Sequence, residues 1–164
     1  MQHEFVTELL KKCKQRYIHT AVETCGYVAR EYLEKLLEYL DLVYIDIKHM
    51  DTTMHQELTG VSNELILENT RRACAVRPVI IRIPTVPGCN DSVDNILATA
   101  KFAAELGGNL KRIELLPYHR FGAPTYRQLG RQYILENVEL PSDSHMQRLK
   151  EIVESYVPRA QIGG

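Results

Sequence analysis

At 164 residues, 45% hydrophobic and 25% charged, the chain has the size and composition of one soluble globular domain. Its 20 basic residues against 21 acidic ones leave a net charge of −1, which excludes a bulk charge suited to nucleic acid or an anionic membrane. No apolar run approaches the roughly 18–20 residues of a membrane span. The start, Met1-Gln2-His3-Glu4, lacks the charged-then-apolar order of a signal peptide, so a cytoplasmic address is expected. Residues 1–164 read as a single domain, with no linker, repeat or low-complexity tract.

Glu4 to Arg16 has the spacing of an amphipathic helix, with Phe5, Val6, Leu9, Leu10 and Cys13 on one stripe. Tyr17 to Glu23 is the first strand candidate, ended by Thr24-Cys25-Gly26. A second helix runs from Glu31 to Leu40, with Tyr32, Leu33, Leu36, Leu37 and Leu40 at helical spacing. Leu42 to Met50 begins as a buried strand and ends in charge. Val43, Ile45 and Ile47 share one face by the two-residue period, and Tyr44, Asp46 and Lys48 share the other. Asp51 caps a short helix ended by Gly60. Ser62 or Asn63 caps a helix to about Ala75. Val79 to Pro84 is a third strand, and Pro87 to Ser92 turns into a long helix that stops at Gly107-Gly108. Arg112 to Leu116 is the fourth strand. Residues 120–141 read as a long loop, and Asp143 to Tyr156 as a last helix. Strands alternating with helices predict parallel pairing. Four such units suit an arc of a barrel or a small open sheet.

Ligands of parallel α/β folds bind outside the carboxyl ends of the strands. Those ends carry Glu23 and Thr24, Asp46 with Lys48, Arg82, and His119. Burying a carboxylate and an ammonium costs several kcal/mol unless they are paired or face a wet cavity. An Asp46–Lys48 pair neutralising itself accounts for that motif alone. Four charged strand ends converging on one rim predict a polar cavity for a charged, hydrogen-bonding ligand. His19, His49 and His55 lack a second ligand at metal spacing and read as surface or satisfied histidines. Arg120, Arg127 and Arg131, interleaved with Phe121, Tyr126 and Tyr133, read equally as a docking surface or a solvated loop. Cys13, Cys25, Cys74 and Cys89 form no Cys-x-x-Cys and no compact cluster-binding loop, and read as reduced structural residues.

The order Ile18-His19-Thr20, Glu23-Thr24-Cys25-Gly26-Tyr27, Asp46-Ile47-Lys48, Leu58-Thr59-Gly60-Val61-Ser62-Asn63, Arg82-Ile83-Pro84, Pro87-Gly88 and Glu114-Leu115-Leu116-Pro117-Tyr118-His119 resembles the glycyl-radical-enzyme activating enzymes of the radical S-adenosylmethionine superfamily, the pyruvate formate-lyase activating enzymes among them. The resemblance runs from about Gln2 to Tyr156. It implies a partial parallel β/α, TIM-like barrel, with about four units of a six-unit radical SAM barrel. It also implies S-adenosylmethionine and a [4Fe-4S] cluster as cofactors, and a glycyl radical made on a partner enzyme such as pyruvate formate-lyase. A low-potential electron donor such as flavodoxin or ferredoxin goes with that chemistry. Carried over by position, Lys48 and His119 bind the ribose and adenine side. Asp46 supports Lys48 or joins Glu23 and Thr24 in a small cation site, and Arg82 faces the methionyl or ribose part. The loop Tyr126 to Tyr133 resembles the family's partner-side loop, with Thr125 where many relatives have Lys.

The family's Cys-x3-Cys-x2-Cys loop is absent, and no catalytic residue is assigned in this chain. The expectation is a C-terminal portion lacking the cluster-binding units, inactive alone, with an exposed edge strand that promotes self-association. A rival reading is a non-catalytic α/β module that holds a nucleotide-like ligand. An aldolase using Lys48 as a Schiff-base amine ranks last, because a neighbouring carboxylate favours the charged ammonium over the nucleophilic amine.

Overall fold

The computed structural model describes residues 2–163. Helix α1 (His3–Gln15) leads into strand β1 (Ala21–Thr24), then α2 (Arg30–Leu37), β2 (Leu42–Asp46), α3 (Thr52–Thr59) and α4 (Glu64–Val76). Strand β3 (Val79–Thr85), α5 (Val93–Ala104), β4 (Leu110–Pro117), α6 (Ala123–Gln128), α7 (Asp143–Glu154) and β5 (Ala160–Ile162) complete the chain. The strands form one five-stranded sheet in the order β1-β2-β3-β4-β5, every neighbouring pair parallel. Crossovers of one hand between sequential neighbours keep the helices on one side of such a sheet and leave its other face open.

The register shows which side is which. Val43, Ile45, Val79, Ile81, Ile83, Ile113 and Leu115 are all 0% exposed. They meet the apolar stripes of α2 (Leu33, Leu36, Leu37), α5 (Ile96, Ala100, Ala103) and α7 (Met146, Leu149, Val153) in one core. Each such side chain contributes about 1.5–3 kcal/mol on burial. A one-residue slip would exchange the whole set for the charged one, so the register is strongly held. Tyr44, Asp46, Arg82 and Arg112 alternate onto the opposite face and are half-buried.

Three features depart from the sequence expectation. The sheet has five strands rather than four, because Ala160–Ile162 is too short to carry a period yet pairs Ile113, Glu114 and Leu115 of β4. Strand β1 starts late: the chain leaves α1 through Tyr17 at φ 58, with the Ile18 N–H on the Cys13 carbonyl (3.0 Å). A short helix, α6, interrupts the expected loop 120–141. Asp51 caps α3 by accepting the Met54 N–H (2.8 Å), and Gly60 (φ 84) ends it, as the spacing predicts. Asn63 stands ahead of α4 but makes no side-chain cap there.

Candidate nucleoside-binding mouth

The open face carries its charge in register. Asp46, Arg82, Glu114 and Gln161 lie side by side across β2 to β5, while Glu23, Tyr44, Ile80 and Arg112 form the row beneath them. Arg82 is the hub. Its Nε and Nη2 each lie 3.2 Å from Asp46 Oδ1, its Nη2 also pairs with Glu23, and its guanidinium lies 5.6 Å from the Tyr44 ring centre. Burial pulls the Arg82 pKa down, but the Glu23 and Asp46 ion pairs outweigh it and leave the pKa raised. Asp46 Oδ2 accepts the Lys48 ammonium at 3.4 Å. Glu23, Arg82, Asp46 and Lys48 thus form a chain of alternating sign along the mouth of the sheet.

The other expected residues fall as follows. Arg82 lies in the middle of β3 rather than at its end, because β3 runs on to Thr85. Thr24 closes β1, its hydroxyl accepting the Gly26 N–H (3.0 Å) in the following turn. His119 lies just past β4, exposed, with Nδ1 accepting the Phe121 N–H (3.3 Å) and its ring 4.2 Å from that of Phe121. Lys48 and His119 therefore rise from the same rim of one sheet, with β3 between their strands. Neighbouring strands are about 4.8 Å apart, so these two strands stand about 10 Å from one another. His55 is buried, its Nδ1 2.8 Å from the Val61 carbonyl, and His49 Nδ1 accepts the Asp51 N–H (3.0 Å), so both are satisfied within the fold.

Two sets of residues escaped the sequence reading. Arg112 and Glu114 extend the charged face: Glu114 is 1% exposed, its Oε1 accepts Arg112 Nε (2.8 Å), and its Oε2 has no partner among the described residues. Register relative to Asp46 and Arg82 is the signal that finds them. Buried asparagines hold the rim loops. Asn69 donates to the Gly26 and Val28 carbonyls (both 2.8 Å) after β1, and Asn63, Asn90 and Asn95 serve the loops after β2 and β3.

The cysteines do not gather. Cys13 lies on α1, Cys25 is exposed after β1, Cys74 is buried in α4 and Cys89 follows β3. Burial pushes the Cys74 and Cys89 thiols up, with Asp91 adding to the effect at Cys89, which disfavours the ligating thiolate. Among the described residues no group of His, Cys, Asp and Glu is arranged to hold a metal ion. The residues present do not fit a [4Fe-4S] cluster.

Residues 1–103 match the radical SAM superfamily. The choline trimethylamine-lyase activating enzyme of Oleidesulfovibrio alaskensis is 41% identical over 159 residues, covering 95% of this chain and 51% of that protein. The 4-hydroxyphenylacetate decarboxylase activating enzyme of Clostridioides difficile is 39% identical over 155 residues, covering 93% and 48%. The chain therefore spans about half the length of the curated relatives it matches. A crystal structure of a domain of pyruvate-formate lyase-activating enzyme from Bacteroides vulgatus superposes with a TM-score of 0.83 at 36% identity, covering 99% of this chain and 91% of that one. With its parallel open sheet, its charged strand-end mouth and these relatives, the chain belongs to the radical SAM superfamily, among the glycyl-radical-enzyme activating enzymes.

Proposed function

We propose that this chain binds S-adenosylmethionine across the mouth of its sheet, as the nucleoside-holding part of an activating enzyme that generates a glycyl radical on a partner enzyme. The alternating-sign chain Glu23–Arg82–Asp46–Lys48 on an otherwise open sheet face carries this reading. S-adenosylmethionine presents an ammonium, a carboxylate, a sulfonium and two ribose hydroxyls, and a mouth of both signs supplies partners for each. Lys48 and His119 take the ribose and adenine side. Arg82 takes the methionyl or ribose portion. Asp46 anchors Lys48, whereas Glu23 is held by Arg82 and the Thr24 hydroxyl by the Gly26 N–H, so the three do not assemble a cation site. When bound, S-adenosylmethionine supplies the deoxyadenosyl group of the radical chemistry, and these side chains orient it.

The partner is a glycyl radical enzyme of the pyruvate formate-lyase kind, served by a low-potential donor such as flavodoxin or ferredoxin, and the setting is cytoplasmic. Among the described residues no helix is long and apolar enough to cross a membrane. Calorimetric titration of the chain with S-adenosylmethionine tests the reading. Saturable binding that weakens about tenfold in Lys48→Met supports it. Absence of binding, or equal affinity in Lys48→Met, defeats it.

The scattered cysteines favour a second reading, a nucleotide-binding module that does no redox chemistry itself. Anaerobic treatment with iron and sulfide tests it. The expected outcome is no stoichiometric cubane absorption and no deoxyadenosine, and the appearance of both would reject the module.

A further inference from the structure

Lys48 can meet a ligand reproducibly only if its backbone is held, yet β2 has already ended at Asp46. The Ile47 N–H still reaches the Arg82 carbonyl (2.9 Å), and beyond it side chains take over from the ladder. Asn90 donates one amide hydrogen to the Lys48 carbonyl (2.8 Å) and the other to the Pro84 carbonyl (2.7 Å), while its Oδ1 accepts the Val86 N–H (2.8 Å). Asn95 of α5 accepts the Met50 N–H (2.8 Å) and donates to the Asn90 carbonyl (2.8 Å). Asn63 donates to the His49 (3.0 Å) and Met50 (2.7 Å) carbonyls and accepts the Thr52 hydroxyl (2.8 Å). All three are buried, at 4%, 4% and 1% exposure for Asn90, Asn95 and Asn63.

Asn90 uses both amide hydrogens and its oxygen. Of the short side chains only asparagine offers two donors and an acceptor in one plane. Its two donated bonds tie the end of β2 to the end of β3, the strand that carries Arg82. Apolar packing could hold these loops together equally well, but it would leave the Lys48, His49 and Met50 carbonyls unbonded and the path of the segment open.

We propose that Asn90, backed by Asn95, is a positioning residue. It fixes the Lys48 carbonyl so that the ammonium stands beside Asp46 at the mouth, ready for the bound nucleoside. This rests on the nucleoside reading above, and the test keeps the two apart. In titrations with S-adenosylmethionine, Asn90→Ala should weaken binding about tenfold, and Asn90→Ala with Lys48→Met should bind no more weakly than Lys48→Met alone. Asn69→Ala, which loosens a different loop, should combine additively with Lys48→Met. Additive loss in the Asn90 pair overturns the proposal.

A ligand-free measurement stands beside it. Site-resolved acylation should run several-fold faster at Lys48 in Asn90→Ala, with Lys101 and Lys111 unchanged as references. Equal acceleration at all three lysines, or none at Lys48, overturns the proposal. Wild-type chain that fails to bind S-adenosylmethionine while Lys48 still shows the selective gain removes the nucleoside reading and leaves the clamp. Should Asn90→Ala not fold, Asn95→Ala is read in the same way, because it frees the Asn90 carbonyl and the Met50 N–H.

Discussion

At the scale of single residues, the open face is arranged so that among the described residues no charge stands alone except half of one carboxylate. Arg82 satisfies Glu23 and Asp46, and Lys48 shares Asp46, but Glu114 is buried with Arg112 as its one partner of opposite sign among the described residues. A buried carboxylate tolerates this only while that partner remains. Arg112→Met should therefore cost about 3 kcal/mol in urea unfolding, and Arg112→Met with Glu114→Leu should recover most of the loss. A double variant no better than Arg112→Met would show that Arg112 matters through its packing instead. Asp46, Lys48 and Arg82 were legible in the sequence because a charge that alternates with isoleucines announces the face it occupies. Glu114 obeys the same alternation between Ile113 and Leu115, yet its place beside Arg82 emerges only once the strands are registered.

At the scale of elements, β1 shows how a short strand is held. Four residues long and paired on one side, it begins where Thr20 and Asp41 lock together. Asp41 accepts the Lys14 ammonium (2.6 Å), the Thr20 N–H (2.8 Å) and the Thr20 hydroxyl (3.1 Å), which joins α1 to the start of β1 and β2. The Lys14 hydrogen bond above all, then the Thr20 N–H, holds the Asp41 carboxyl well below the usual carboxylate range. A lowered folded value means the unfolded state takes up the proton first as pH falls. The stabilisation is therefore complete above the ordinary carboxylate value of about 4 and lost as pH falls toward the lowered one. Asp41→Asn should reduce the urea midpoint at pH 7, and the gap to wild type should narrow at pH 3. A constant gap would mean that the charge of Asp41 is irrelevant to the tether. The helices were legible from their apolar stripes and from the Asp51 cap. The late start of β1, α6 and β5 were not, since a left-handed Tyr17 and runs of six and three residues leave no period to detect.

At the scale of the whole molecule, sequential parallel order gives the described residues two unlike faces and two edge strands, β1 and β5. The helix side is closed by a continuous apolar core, whereas the open face holds charge, at partial exposure except for the buried Glu114, and among the described residues β1 has a neighbour only in β2. An uncovered strand edge is a template for another strand, and natural proteins blunt such edges with charge. β1 has only Glu23 for that purpose, and Glu23 is engaged by Arg82. Nearby, Tyr17 and Ile18 are exposed at 98% and 53%, adding an apolar margin to the same edge. The chain should thus self-associate as concentration rises, with the weight-average mass in sedimentation equilibrium climbing above 18.8 kDa. Ala21→Lys places an ammonium on the exposed start of β1 and should return the mass toward the monomer without altering S-adenosylmethionine affinity, because the mouth lies at the opposite end of the strands. A monomer at every concentration would show that the edge is already protected. An assembly indifferent to Ala21→Lys would move the contact to the charged face, where high salt should dissolve it by screening the exposed pairs.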